Sequence, residues 1–192
     1  MEVRMTKYKK GEHGYIEYRK KVQFLKSLIM FLIAASIFIL GLALNKWEKT
    51  NIFTILAVLC VLPAAKQLVG FIILVPYSSV PDELYERVKG QLSNEGKLFT
   101  DVVFTSPDKV MKLAFLTVVG NQVFGLIDKE KVKKDYMEKY FRESFKKQGL
   151  PVKATILTDE NQFMKRVNQA TGTPLKEEDE KALMNLLLSF MV

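Results

Sequence analysis

From Pro81 to the C-terminus the chain has neither a histidine nor a cysteine. That removes Ser-His-Asp and Cys-His catalysis from this region, together with the usual zinc sites built from His and Cys ligands. No glycine-rich phosphate loop of either common spacing occurs, and no cofactor is expected. Carboxylates remain. Asp101 and Asp128 fall in or beside expected strands, where two acidic side chains could hold a magnesium ion. The only histidine, His13, lies in a charged leader and reads as a solvated side chain. Lys66 interrupts a long apolar run, which makes it a candidate functional lysine or a snorkelling one.

The elements that would position these residues follow from periodicity. Ser79-Val-Pro-Asp82 reads as a helix start with Ser79 as the cap, and Leu84, Val88 and Leu92 share one helical face over 81–92. Asn94-Glu-Gly96 ends it. Residues 98–105, 110–119 and 122–127 are rich in β-branched and aromatic side chains and read as strands. Ser106-Pro-Asp108 and Gly120-Asn121 supply the turns between them. Over 130–148 the period becomes helical, with Val132, Tyr136, Tyr140, Phe141 and Phe145 as the apolar stripe. Lys131, Lys133, Lys134, Lys139, Arg142, Lys146 and Lys147 lie on its polar face, interleaved with acids as on a solvated helix. A fourth strand at 152–158, a short helix capped by Asp159 and a final helix opening at Thr173-Pro174 complete the order α-β-β-β-α-β-α-α around a small mixed sheet of about four strands.

That order of helix, three strands, helix and strand is similar to the core of PD-(D/E)xK nucleases. The resemblance implies a metal-dependent hydrolase in which Asp101 is the first acid. In that family the following strand carries an acid-x-lysine pair. Here Lys112 is present, but Val110 stands two residues before it, and the one Glu-x-Lys, Glu95-Gly-Lys97, precedes Asp101 in a turn. Without that pair the likeness is one of fold, which does not carry a function.

Two apolar runs precede the domain. Ser27 to Leu44 holds 18 residues without a charge, and Ile52 to Pro76 holds 25 with Lys66 as the single charge. A bilayer core about 30 Å thick takes roughly 20 helical residues to cross. The runs therefore read as a two-span α-helical transmembrane hairpin, about 27–44 and 52–76, joined by Asn45 to Asn51. A cleaved signal peptide is the alternative for the first run, but signal cores are usually shorter and end at a small-residue site. The domains expected are a basic leader (1–26), the hairpin and its linker (27–80) and a cytosolic α/β domain (81–192).

Charge supports this division. The net charge is +8. Residues 1–80 hold 11 Lys and Arg against 4 Asp and Glu, whereas 81–192 hold 18 against 17. The excess belongs to the membrane segment, so nucleic acid is not the expected partner. Arg4, Lys7, Lys9, Lys10, Arg19, Lys20 and Lys21 precede the first run with Lys26 at its edge, and the loop has only Lys46 and Lys49. Basic flanks stay cytoplasmic, which places both termini inside and the multi-pass protein in the cell membrane. The leader, with Tyr8, Tyr15 and Tyr18, is either a solvated topology determinant or an adsorber to anionic lipid headgroups. Cys60 is the one cysteine, so no disulfide forms within the chain.

The functional expectation is a non-enzymatic membrane-anchored interaction or accessory protein, with the metal-dependent hydrolase as the alternative. The expected partners are the bilayer and a protein, which could be a second copy. The last helix carries Leu183, Met184, Leu186, Leu187, Leu188, Phe190 and Met191. Leu187 and Phe190 are either core residues or an exposed interaction surface.

Overall fold

The computed structural model describes residues 8–92, 96–106, 109–127 and 134–192. The chain divides into two compact units. One is an α-helical pair, Glu17–Tyr77, and the other joins the residues up to Ile16 with Ser78–Val192. In chain order the elements are α1 (Tyr15–Leu44), α2 (Ile52–Leu74), α3 (Asp82–Gln91), β1 (Lys97–Thr105), β2 (Val110–Val119), β3 (Gln122–Leu126), α4 (Lys134–Lys147), β4 (Lys153–Leu157), α5 (Glu160–Asn168) and α6 (Glu177–Phe190).

In the helical pair, α1 and α2 are both long and apolar enough to cross a membrane. Only 17% and 11% of their most apolar windows are covered, unlike a helix in a soluble core. Small residues line the seam between them. Ala34, Ala57 and Ala64 are buried, and the Ser27 hydroxyl donates to the carbonyl of Ala64 at 3.2 Å. A Cβ on Gly41 would strike Phe53, and one on Gly70 would strike the amide of Gln23. Close backbone approach through small residues is how apolar helices associate without a hydrophobic driving force. At the loop, Asn51 caps α2 by accepting the Thr54 N–H at 3.0 Å, and α2 runs unbroken through Pro63.

The α/β unit has a four-stranded sheet in the order β1-β2-β3-β4. The first three strands are antiparallel, and β4 joins β3 in parallel after the α4 crossover. Each face buries its own core. Leu113, Leu116 and Ile156 pack with Met137, Phe141 and Phe145 of α4 and with Leu183 and Leu187 of α6. Phe115, Phe124 and Leu157 pack with Val88 of α3 and with Phe163 and Val167 of α5. The result is a sheet between two helical layers, because both sheet faces are apolar and each must be covered.

Several local expectations change. α3 begins after Pro81 with no side-chain cap, and the Ser79 hydroxyl is buried, so Ser79 is not the cap. Asp159 does cap α5, accepting the Gln162 N–H at 2.9 Å. In α4 the fully buried positions are Met137, Phe141 and Phe145, while Tyr136 and Tyr140 are half-buried. Met137 falls four residues before Phe141 and so shares its face. The final helix starts at Glu177, not at Thr173-Pro174. Asn94, Glu95, Pro107, Asp108, Asp128, Lys131, Val132 and Lys133 lie outside the described residues.

Candidate functional site at Asp101

β1 is an edge strand, and an aspartate in its middle should alternate outward to solvent. Asp101 does not. It is 2% exposed and has φ of 54°, a left-handed conformation in the middle of a strand. The alternation of side chains breaks here in both β1 and β2. Phe99 and Val102, three residues apart, belong to the same core, as do Leu113 and Leu116 opposite them. In a regular strand residues three apart face opposite sides.

The carboxylate explains the distortion. Its Oδ2 accepts the backbone N–H of Gly14 at 2.7 Å, and its Oδ1 accepts that of Val80 at 2.8 Å. A left-handed residue other than glycine costs roughly 1–2 kcal/mol, and aspartate tolerates it better than most. Hydrogen bonds to a charged group contribute roughly 1.5–3 kcal/mol each, so two of them outweigh the strain. Gly14 lies just before α1, and Val80 lies after α2. One side chain therefore ties together the chain entering the helical pair and the chain leaving it.

The leader is built to reach this point. Gly11 has φ of 83°, and a Cβ there would collide with the ring of Phe99. Its carbonyl accepts the Thr100 N–H at 2.8 Å, which covers the open edge of β1. Farther along the same edge the Val192 N–H donates to Val103 at 3.0 Å. Lys10 donates to the carbonyl of Met191 at 2.6 Å and the Tyr15 hydroxyl to that of Val192 at 3.2 Å. Tyr15 and Ile16 are buried. His13 is no solvated side chain: it stacks on Tyr85 of α3 with ring centroids 4.3 Å apart, and its Nε2 lies 2.7 Å from Asp82 Oδ1.

Little about this arrangement suits metal chemistry. Both Asp101 oxygens accept backbone N–H groups, and no three His, Cys, Asp or Glu residues converge as a ligand set among the described residues. The ammonium of Lys112 donates to the carbonyl of Ser78. Beside it runs a groove of about 250 Å³ between α3 and the start of α5, lined by Val80, Leu84, Lys112, Ala114, Leu126 and Glu160 among others. Glu160 is committed to Arg87 through two contacts of 2.7 and 2.8 Å, and this pairing raises the guanidinium's pKa above its ordinary value. The chain matches no protein-family model, no curated protein and no solved structure.

The other singled-out residues are dispersed. Leu187 is fully buried in the core under α6. Phe190 is half-buried, its ring 5.4 Å from that of Tyr140 and 6.1 Å from that of Phe104. Lys66 is exposed on α2, away from the Ala64 seam. Sequence reasoning missed the leader altogether as a structural element. Gly11 and Gly14, both with φ of 83°, were the available signal, since paired glycines before a helix often mark left-handed turns.

Proposed function

We propose that the chain is a two-span protein of the cell membrane, with its N-terminus and its α/β unit both cytoplasmic, and that the α/β unit is a non-enzymatic interaction module. The observation that carries this reading is the double use of Asp101. Its carboxylate is occupied in joining Gly14 to Val80, so the most plausible catalytic acid in the sequence serves as a staple. The same contact bears on topology. Gly14 precedes both helices and Val80 follows both, so their packing in one unit requires an even number of crossings between them. The basic leader then favours the cytoplasmic side. The exposed leucine, isoleucine and valine side chains along α1 and α2 form an apolar surface far beyond what water-soluble proteins present, and lipid is its natural solvent.

Three experiments on the full-length protein test the reading, the first of them in mild detergent. Incubation with DNA or RNA and magnesium or manganese should yield no cleavage, whereas metal-dependent cleavage by the pure protein would establish the nuclease alternative. Cross-linking in membranes followed by purification should retain a defined protein partner or a second copy. Reporter fusions active only in the cytosol, placed at Val192 and at Lys46, should give signal at the first site only.

A further inference from the structure

Two lysines of the helical pair lie at one depth. The Ser27 hydroxyl reaches the Ala64 carbonyl at 3.2 Å, which fixes these residues at the same level of the antiparallel pair. Lys26 is one residue beyond Ser27 and Lys66 two residues beyond Ala64, both in the direction away from the loop. At 1.5 Å per residue their backbones lie within about 1.5 Å of the same height. Both side chains are exposed. The residues around them, Phe24, Leu25, Leu28, Leu62 and Val69, are also exposed and apolar.

The depth of this level follows from the other end. The loop closes on Gly41, whose carbonyl accepts from Asn45 at 2.9 Å. The apolar run of α1 continues past it to Leu44, and from Leu44 to Lys26 is 18 residues, about 27 Å, close to the thickness of the hydrocarbon core. Lys26 and Lys66 therefore leave their helices near the far boundary of that core, where their flexible stems carry the ammoniums outward along the helices to the headgroups. The anionic group available to them at that depth is a lipid phosphate.

We propose that Lys26 and Lys66 form a binding level for the phosphates of anionic phospholipids in the leaflet opposite the 45–51 loop. This rests on reading α1 and α2 as spanning. It gives Lys66 a function without a buried partner, because the occupant is the lipid. The test uses full-length protein in mild detergent, offered equal amounts of phosphatidylglycerol and phosphatidylcholine, with retained lipid counted by native mass spectrometry. The parent should prefer phosphatidylglycerol. Lys26→Gln and Lys66→Gln should each lower that preference roughly fivefold and the double variant about thirtyfold, while Lys46→Gln at the loop should leave it intact. A double variant with the parent's preference would overturn the proposal, as would displacement of the bound lipid by inorganic phosphate. Carbonate extraction of the source membranes separates the two readings. Protein stripped by carbonate defeats the spanning hairpin itself, whereas protein that stays integral with unchanged lipid preference defeats only the lysine level.

Discussion

The buried carboxylate of Asp101 accepts the N–H of Gly14 across 87 residues of sequence, at 2.7 Å. Its other oxygen accepts Val80. Removing the carboxylate leaves a buried donor at Val80 and a half-buried one at Gly14 unpaired, the first costing about 1–3 kcal/mol and the second less, and leaves the left-handed backbone in place. Asp101→Ala should therefore lower the stability of the α/β unit by roughly 2–4 kcal/mol. Asp101→Asn, which keeps one good acceptor, should lose about half of that. Thermal melting of the full-length protein in detergent, followed by near-ultraviolet circular dichroism, checks the order parent, Asn, Ala.

Two glycines of positive φ separate backbone need from packing need. Gly11 and Gly149 both have positive φ, but a Cβ on Gly11 would meet Phe99 whereas one on Gly149 would meet open space. Gly11→Ala should destabilise by about 2 kcal/mol or more, combining strain with overpacking. Gly149→Asn should cost a few tenths of a kcal/mol, since asparagine tolerates this conformation. Equal effects in the melting assay would show that the leader is not packed on β1.

The end of α6 gives a graded test. Leu187→Asp buries an uncompensated charge in the core and should prevent stable folding of the α/β unit. Phe190→Ala removes ring contacts with Tyr140 and Phe104 at a half-buried site and should cost about 1–2 kcal/mol. Limited proteolysis reads both. A Leu187→Asp protein as resistant as the parent would show that this position is not in the core.

Within the helical pair, Gly70→Leu and Gly41→Leu should separate the helices, because Gln23 and Phe53 already fill the space. Leu32→Ile, on an exposed position of α1, should change nothing. Heat-induced aggregation in detergent compares the three.

Most of this architecture was legible because it is local. The strands at 98–105 and 110–119, the Gly120-Asn121 turn and the Asp159 cap depend on neighbours within a few residues, and each occurs with at most small shifts. What sequence could not disclose was set by distant contacts. Asp101 sits in an alternating strand pattern that assigns it to solvent, and only the leader and the Val80 linker, folded over that edge, turn it inward. His13 reads as solvated for the same reason: Tyr85 and Asp82 are about 70 residues away. The level shared by Lys26 and Lys66 needs the register of two helices, which Ser27 and Ala64 set and which hydropathy alone does not contain.

The central claim is that the chain before α1 and the chain after α2 form one unit. Cysteines placed at His13 and Asp82 in a Cys60→Ser background test it most directly, using a short bis-maleimide on intact membranes. The account predicts efficient intramolecular joining, seen as fragments that stay linked after cleavage in the 45–51 loop. Two cysteines that each react with maleimide from opposite sides of the membrane, and never with each other, would contradict it.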